Sequence, residues 1–196
     1  TCIHGLAVSL KHSYTIWQKS NEDIKDFQDG TNFTPANKAD YVSIATDNGP
    51  TDNINRILGY QNTQVLLAYN TYCRNNGKNK NIVKPVEALA SFSASNPAPA
   101  NSTGWYIPSA KEFHILCFKD VDDIWNYYKK SSHTETGNIV NASISEADGD
   151  LLGGEVQWSS SECAYESGFA FDISFFKRLY VRAKDNNGRA RAVCAF

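Results

Sequence analysis

Apolar and polar residues alternate with a period of two through the last quarter of the chain. The alternation runs over residues 169–175, 179–183 and 189–196, with polar residues between the runs. This period is typical of half-buried strands, and Asn187-Gly188 supplies the positive φ angles that a tight turn requires. The pattern predicts that residues 158–196 form consecutive antiparallel strands of one sheet. The predicted scaffold face of these strands comprises Trp158, Phe169, Phe171, Ile173 and Phe175.

Earlier in the chain, short stretches have the apolar spacing of helices. Helices are predicted over 62–74 and after Pro85. The clearest signal is Ser109-Ala-Lys-Glu112, a capping box in which each side chain accepts a hydrogen bond from the other residue's main-chain N–H group. Two further helices are predicted over 121–128 and 140–147. The capped helix is predicted to bury Phe113, Leu116 and Cys117.

The remaining segments predict one strand and two long loops. Leu6, Val8 and Leu10 alternate with smaller or polar residues, so a first strand is predicted over 5–10, ending before Lys11. Residues 18–53 are dense in Asp, Asn, Gly, Pro and Thr, and residues 92–103 are small and polar, so both are expected to run over the surface. Together the elements predict an α+β fold: an antiparallel sheet with two or more flanking helices and long loops, in a single domain over 1–196.

Composition and charge narrow the functional classes. Of 196 residues, 41% are hydrophobic and 20% are charged, and a chain of this length buries roughly 70% of its unfolded surface. The 19 basic and 21 acidic residues give a net charge of −2, which disfavours a nucleic-acid binder because such proteins neutralise phosphates. No apolar run reaches the ~18 residues of a membrane span, so no direct membrane insertion is expected. Because the chain begins at Thr1 without an initiator Met, a mature or trimmed product is expected.

The five cysteines do not indicate a metal site. They lie far apart, with no C-x-x-C and no His at ligand spacing, so zinc is disfavoured. An odd number leaves at least one thiol free, and one disulfide among the five stays an open alternative. Cys117 and Cys194 lie in apolar runs and are predicted to be small core residues.

Hydrolytic chemistry is also disfavoured. A hydrolase needs a nucleophile and a base, and no G-x-S-x-G occurs in the chain. The serine triplet at 159–161 is interpreted as a hydrogen-bonding strand edge, and His114 as a surface residue of its helix. The candidate nucleophiles are Ser159, Ser160 and Ser161, and the candidate bases are His4, His12, His114 and His133.

Charged residues cluster in three places. Asp120, Asp122 and Asp123 are interpreted as a helix start, where carboxylates favour the positive end of the dipole. Glu146-Ala-Asp-Gly-Asp150 with Glu155 offers oxygen ligands, but the D-x-[DN]-x-[DN]-G calcium loop is absent, so neither a metal nor a cofactor is expected. The third cluster is basic, and is interpreted as a solvated face or, alternatively, as an anion site. Its cations are Lys177, Arg178, Arg182, Lys184, Arg189 and Arg191.

Several motifs stand in an order that resembles a known fold family. They are Gly104-Trp-Tyr-Ile-Pro-Ser109, Trp158-Ser-Ser-Ser-Glu162, Ala170-Phe171 with Phe175, Lys184, and Arg189-Ala-Arg-Ala-Val-Cys-Ala-Phe196. This order resembles the C-type lectin-like domains of bacterial surface proteins, especially those of gut Bacteroidales, and the formylglycine-generating-enzyme branch of that fold. It is most similar to the variable proteins of diversity-generating retroelements, whose last strands and loops are rewritten at adenines. The resemblance runs from Leu6 to Phe196 and is specific from Gly104 onward.

The chain departs from the family pattern at a few positions. Phe171 stands in place of Trp, Ala190 in place of Val, and Lys177-Arg178 in place of a Gly-containing turn. These departures leave the fold prediction intact but blur the alignment of single surface positions. Adenine mutagenesis of Asn codons can produce most residue types between positions 163 and 188, in agreement with diversification. The exceptions are Glu166, Lys177 and Lys184.

The resemblance implies a secreted or surface-displayed adhesin or receptor-recognition protein with a retroelement-diversified C-terminal binding face. The expected location is extracellular or at the cell surface, and the expected partner is a protein or a glycan on another cell or surface. The lectin motifs E-P-N, Q-P-D and W-N-D are absent, so binding should not depend on calcium. The enzyme branch's cysteine pair or copper site cannot be matched, so no enzyme activity is expected. The predicted ligand-binding residues are Tyr165, Glu166, Asp172, Ser174, Tyr180, Arg182, Asp185, Asn186 and Asn187.

Two other functions stay open. The first is a fixed structural tip subunit of a pilus or phage fibre, and the second is a degenerate member of the enzyme branch. A reverse transcriptase gene and a near-identical template repeat beside the C-terminal coding segment would establish diversification. Their absence would favour a fixed adhesin.

Overall fold

The two ends of the described chain lie side by side in one mixed sheet. A computed structural model describes residues 5–49, 51–127, 135–153, 156–175 and 178–196. The strands run in the order β1-β6-β3-β4-β5, and β2 pairs in parallel with β3. They are β1 (Leu6–Ile16), β2 (Ala45–Thr46), β3 (Gln157–Cys163), β4 (Phe169–Ser174), β5 (Arg178–Ala183) and β6 (Asn187–Ala195). The predicted α+β class is confirmed.

Helices fill most of the chain between β2 and β3. The α-helices are α1 (Ile24–Asp29), α2 (Gly59–Asn75), α3 (Lys84–Ser95), α4 (Ala110–Cys117), α5 (Ile124–Tyr127) and α6 (Glu135–Glu146). Short 3-10 turns lie at Lys38–Asp40, Asn53–Asn55 and Asn79–Asn81. The predicted helices at α2, α3 and α4 are confirmed, and α4 buries the three predicted residues. The last two predicted helices differ in extent: α5 covers four residues, with Tyr128 outside the described residues, and α6 begins five residues earlier than predicted.

The position of β6 overturns the prediction of consecutive antiparallel strands. β6 does not follow β5 in the sheet but lies between β1, to which it is antiparallel, and β3, to which it is parallel. Asn187-Gly188 therefore begins β6 instead of turning a tight hairpin. The physical reason is burial: residues 190–195 are all buried, so their main-chain N–H and C=O groups are removed from water and need partner strands on both edges of β6. Gly188 serves a close approach, since a Cβ there would lie 2.7 Å from Nε1 of Trp158.

The first strand is longer than its apolar pattern. It continues through Lys11 to Ile16, because β6 offers main-chain partners along this whole length, as the pairing of Ile16 with Asn187 shows. An irregularity between Val8 and His12 shifts the register. Leu10, which the alternation groups with Leu6 and Val8, is 42% exposed. Ladder hydrogen bonds therefore outweighed side-chain polarity in setting the length of this strand.

Residues 18–53 are more than the surface loop that the sequence predicted. This segment contains α1 and β2, and it buries Ile24, Phe27, Phe33 and Ile44. These apolar side chains are spaced too widely for a periodic signal, yet they join Trp17 and Trp158 in one core cluster. The interior contacts of the segment, and not its local pattern, decide its structure.

Both faces of β4 are covered. Ala170 packs in the cluster around the two tryptophans, Phe171 in a cluster with Ile54 and Leu179, and Ile173 in a third cluster. The helices therefore flank this strand on two sides. Among the described residues, Cys73, Cys117, Cys163 and Cys194 are buried free thiols, which confirms that at least one thiol is free and that Cys117 and Cys194 are core residues.

Candidate functional site

The nine predicted binding residues are not one uniform face. Five of them, Tyr165, Glu166, Asp185, Asn186 and Asn187, are exposed. They lie on the loop after β3 and on the connection from β5 to the first residue of β6, and the two are joined where the N–H of Lys184 donates to the carbonyl oxygen of Gly168 at 2.8 Å. Ser174, Tyr180 and Arg182 are half-buried on β4 and β5. The ninth residue, Asp172, lies in the interior.

Asp172 was predicted to be exposed, and that prediction is wrong. Its side chain is 0% exposed because β4 is covered on both faces. The Nε of Arg182 donates to its Oδ2 at 2.6 Å, while Oδ1 has no hydrogen-bond partner within the described residues. Burial raises the pKa of the Asp172 carboxyl to about 6, and the Arg182 guanidinium opposes that rise without cancelling it. Asp172 and Arg182 thus form a structural pair at the sheet edge.

The raised pKa of Asp172 predicts a pH-dependent stability. The folded-state pKa near 6 lies above an unfolded value of about 3.9. Protonation of Asp172 therefore raises the free energy of unfolding, and this gain is complete below pH about 4 and is lost as the pH rises through about 6. The Asp172→Asn variant cannot titrate there. When the pH falls from 7 to 4, the unfolding free energy of the parent should gain roughly 2–3 kcal/mol relative to the variant. Urea unfolding of both proteins measures this difference, and a constant difference would contradict it.

The predicted basic patch is largely not a surface feature. Lys184 and Arg191 are completely buried, so neither the solvated-face nor the anion-site interpretation applies to them. Arg191 donates from Nη1 to the carbonyl oxygen of Ser9 at 2.7 Å, and burial lowers the pKa of its guanidinium to about 10. Arg178 lies over the ring of Tyr180, with its Cζ 4.6 Å from the ring centroid. Lys177 lies outside the described residues.

Two buried glutamates hold the motif segments together. Glu112, in the capping box, accepts hydrogen bonds from the main-chain N–H groups of Ser109 at 2.7 Å and Gly59 at 2.9 Å, and from the Tyr106 hydroxyl at 2.8 Å. The box therefore joins the starts of α2 and α4 and also caps one helix. Burial raises the pKa of Glu112, and these hydrogen bonds oppose the shift.

Glu162 plays the same part at the end of β3. It accepts hydrogen bonds from the N–H groups of Ile24 and Lys25, each at 2.9 Å, and from Nζ of Lys184 at 2.6 Å. Burial raises the pKa of Glu162, and the Lys184 charge opposes the shift. Lys184 also donates to the carbonyl oxygen of Glu22 at 2.9 Å. Two motif positions of the sequence, Glu162 and Lys184, are thus a buried ion pair that fixes α1.

The candidates for hydrolysis are also interior residues. His114 is buried between Phe118 and Tyr127, so its prediction as a surface residue is wrong, and burial lowers its pKa to about 4. The serine triplet lies within β3, a central strand, and not at an edge. Ser159, for example, donates its hydroxyl to the carbonyl oxygen of Phe171 at 2.7 Å.

The acidic clusters have structural partners. Asp150 pairs with Lys11 at 3.2 Å and accepts the N–H of His12 at 3.2 Å. Asp123 accepts the N–H of Asn126 at 3.1 Å, as expected at a helix start. Glu155 lies outside the described residues. Within the described ranges, no three His, Cys, Asp or Glu side chains are grouped as metal ligands would be.

A polar groove, which the sequence did not predict, adjoins the loop after β3 that carries Tyr165 and Glu166. It has a volume of about 450 Å³ and opens between the segment leading into α1, the end of α2 and the loop after β3. Gly168 permits the close approach of the loop after β3 to the segment leading into α1, because it has φ of +80° and a Cβ there would lie 2.8 Å from Asn21. The polar lining comprises Asn21, Glu22, Asp23, Asp26, Asn32 and Ser167.

Three aromatic rings and one ammonium group complete the polar groove. The ring centroid of Phe27 lies 5.3 Å from those of both Tyr69 and Tyr72. The Nζ of Lys78 lies 5.5 Å from the Tyr72 centroid and 3.8 Å from the Glu22 carboxylate. Since the lining residues come from three separate segments, at 21–32, 69–78 and 167, no local spacing in the sequence could have indicated the site.

Comparisons with known proteins bear on the chain as a whole. No family model matches it. A Bacteroides ovatus protein, Fim1C, whose name assigns it as a fimbrium tip subunit, is 33% identical over 129 residues. The match covers 61% of this chain, which spans about a fifth, 21%, of the relative's length.

A solved structure extends the similarity to the whole fold. The crystal structure of a fimbrial protein from Bacteroides ovatus superposes with a TM-score of 0.72 and 24% sequence identity, covering 100% of this chain and 36% of the solved one. The chain has the fold of a fimbrial protein. These similarities confirm the predicted location at the cell surface or outside the cell. Among the described residues, no helix is both long and apolar enough to cross a membrane.

Proposed function

We propose that this chain is a fixed, non-enzymatic tip subunit of a bacterial fimbria, the alternative that the sequence left open. The observation that carries the proposal is the similarity to Fim1C, a relative with a tip-subunit name, together with the fimbrial fold over the full length of the chain. Its partners would be the neighbouring fimbrial subunits. The finer fold assignment, a single C-type lectin-like domain, belongs to the same proposal. It is supported by the pairing of the first strand with the last and by motif residues such as Glu112 and Glu162 that serve the core.

The geometry weighs against the diversified binding face in its predicted form. A position that is rewritten must tolerate many side chains, and the interior site of Asp172 would not, since an unpaired buried polar group is costly. Arg182 is held by that same aspartate. The exposed loops carrying Tyr165 and Asn186 remain suited to display. A fixed role for the strands fits these positions best.

Fimbriae of the source bacterium provide the experiment. Immunogold microscopy with an antibody against this chain is expected to label filament ends, and sheared fimbriae are expected to contain the chain in trace amounts relative to the shaft subunit. Label along the whole filament, or none on filaments, would overturn the tip assignment. Sequencing of the segment that encodes residues 163–188 in many cells of one culture distinguishes a fixed subunit from a diversified one. A fixed subunit gives one sequence, whereas a diversified one gives substitutions at adenines.

A further inference from the structure

We propose that the polar groove binds a neutral saccharide. The inference goes beyond a role in fimbrial assembly, because it assigns a ligand class to one surface of the chain. It rests on the donors, acceptors, rings and charges that line the groove.

The hydrogen-bonding groups of the groove suit a molecule that both donates and accepts. The carboxylates of Asp23 and Asp26 are acceptors, whereas the amides of Asn21 and Asn32 do both. Oδ1 of Asp23 is shielded from solvent and lies 3.9 Å from Nζ of the buried Lys184, so it faces the interior. The exposed carboxylate of Asp26 and the exposed amides of Asn21 and Asn32 are the groups that a ligand can reach. Adjacent hydroxyl groups of a pyranose supply donors and acceptors together.

The shape and the apolar wall of the groove also fit a sugar. A volume of about 450 Å³ lies within the ~300–1,000 Å³ of typical small-molecule sites. Tyr72 is half-buried, whereas Phe27 beside it is only 8% exposed, so the Tyr72 ring is the aromatic surface available to the C–H face of a pyranose. The groove therefore combines an aromatic ring with hydrogen-bonding groups, and a pyranose likewise combines a C–H face with hydroxyl groups.

The charges of the groove select among possible ligands. The carboxylates of Glu22, Asp23 and Asp26 disfavour an acidic sugar by like-charge repulsion. A basic peptide is disfavoured for a different reason. The position for a cation, over the Tyr72 ring and beside Glu22, is already occupied by the Lys78 ammonium. A neutral saccharide meets neither obstacle.

The test uses the intact chain and a panel of maltotriose, mannotriose, xylotriose and N-acetyllactosamine. At least one is expected to bind in saturation-transfer NMR and calorimetry. Asp26→Asn and Tyr72→Ala should each weaken that binding by about tenfold or more, as the loss of a hydrogen-bonding or stacking anchor does. The matched controls Asp40→Asn and Tyr60→Ala alter exposed residues outside the groove and should bind like the parent. If Tyr72→Ala lowers the melting temperature, then Asp26→Asn and Asn32→Ala, both at exposed positions, carry the test.

Other outcomes overturn the inference. Failure of every oligosaccharide to bind, or equal binding by the groove variants and the parent, would remove the saccharide site. Salt-sensitive binding of acetyl-pentalysine amide that Asp26→Asn abolishes, with no saccharide bound, would assign the groove to a basic peptide instead. Either result leaves the fimbrial proposal intact, because that proposal is tested by the position of the chain on filaments.

Discussion

Replacement of Glu162 by alanine is expected to lower the free energy of unfolding by about 3–5 kcal/mol. The side chain is 1% exposed and accepts hydrogen bonds from Lys184 and from the first amide groups of α1. Its removal leaves the buried Lys184 ammonium with only the more distant Asp23 carboxylate, at 3.9 Å, and leaves those main-chain N–H groups without an acceptor. Urea unfolding, followed by tryptophan fluorescence, measures the loss.

Two further variants locate the source of that loss. Glu166→Ala, an exposed glutamate in the loop after the same strand, should change stability by about 0.5 kcal/mol or less. The double variant Glu162→Leu/Lys184→Met should recover part of the stability, because apolar replacement of both partners of a buried pair is often nearly neutral. If Glu162→Ala were as stable as the parent, the ion pair could not be what fixes α1.

Phe171→Ala is expected to destabilise the protein by about 3–5 kcal/mol, because it removes a large side chain from a packed interior. Phe171 is 0% exposed and packs with Ile54 and Leu179, and the ring of Trp125 meets it edge-on at 6.3 Å. The surrounding β4 and β5 cannot collapse into the space without breaking their ladder. Thermal and urea unfolding of the variant check the prediction.

The matched control for Phe171 is another aromatic residue of the same region. Tyr165 is 50% exposed, so Tyr165→Ala should alter the unfolding free energy by about 0.5 kcal/mol or less. Equal losses in the two variants would contradict the separation of scaffold from display positions. A loss at Phe171 alone would support it.

The motifs that carry the family resemblance describe the interior of the molecule. Trp158, Glu162 and Lys184 are buried together near α1, and Glu112 joins α2 to α4. Such residues specify a fold, since each satisfies several main-chain groups at once. They carry no information about a ligand, and for that reason a fold-level resemblance and a fimbrial function are compatible. Recognition depends instead on surfaces such as the exposed loops and the polar groove.

The sequence by itself determined the elements whose information is local. The capping box of Ser109 and Glu112 marked the start of α4, and helical spacing marked α2. Alternation marked the scaffold face of β4, where Phe171 and Ile173 are buried as predicted, and so is Phe175 just after the strand. In each case the side chains that define the element are neighbours along the chain, so a short window contains the whole signal.

Only the tertiary structure decided where those elements meet. β6 lies between β1 and β3 because its buried main chain needs hydrogen-bond partners on both edges, and neither partner strand is near it in sequence. Cover on both faces of β4 buries Asp172, although alternation had placed it on the opposite, exposed face. The polar groove gathers Asp26, Tyr72 and Ser167 from segments about 45 to 140 residues apart. Strand order, two-sided burial and grooves depend on contacts between distant segments, and periodicity within one segment holds no record of them.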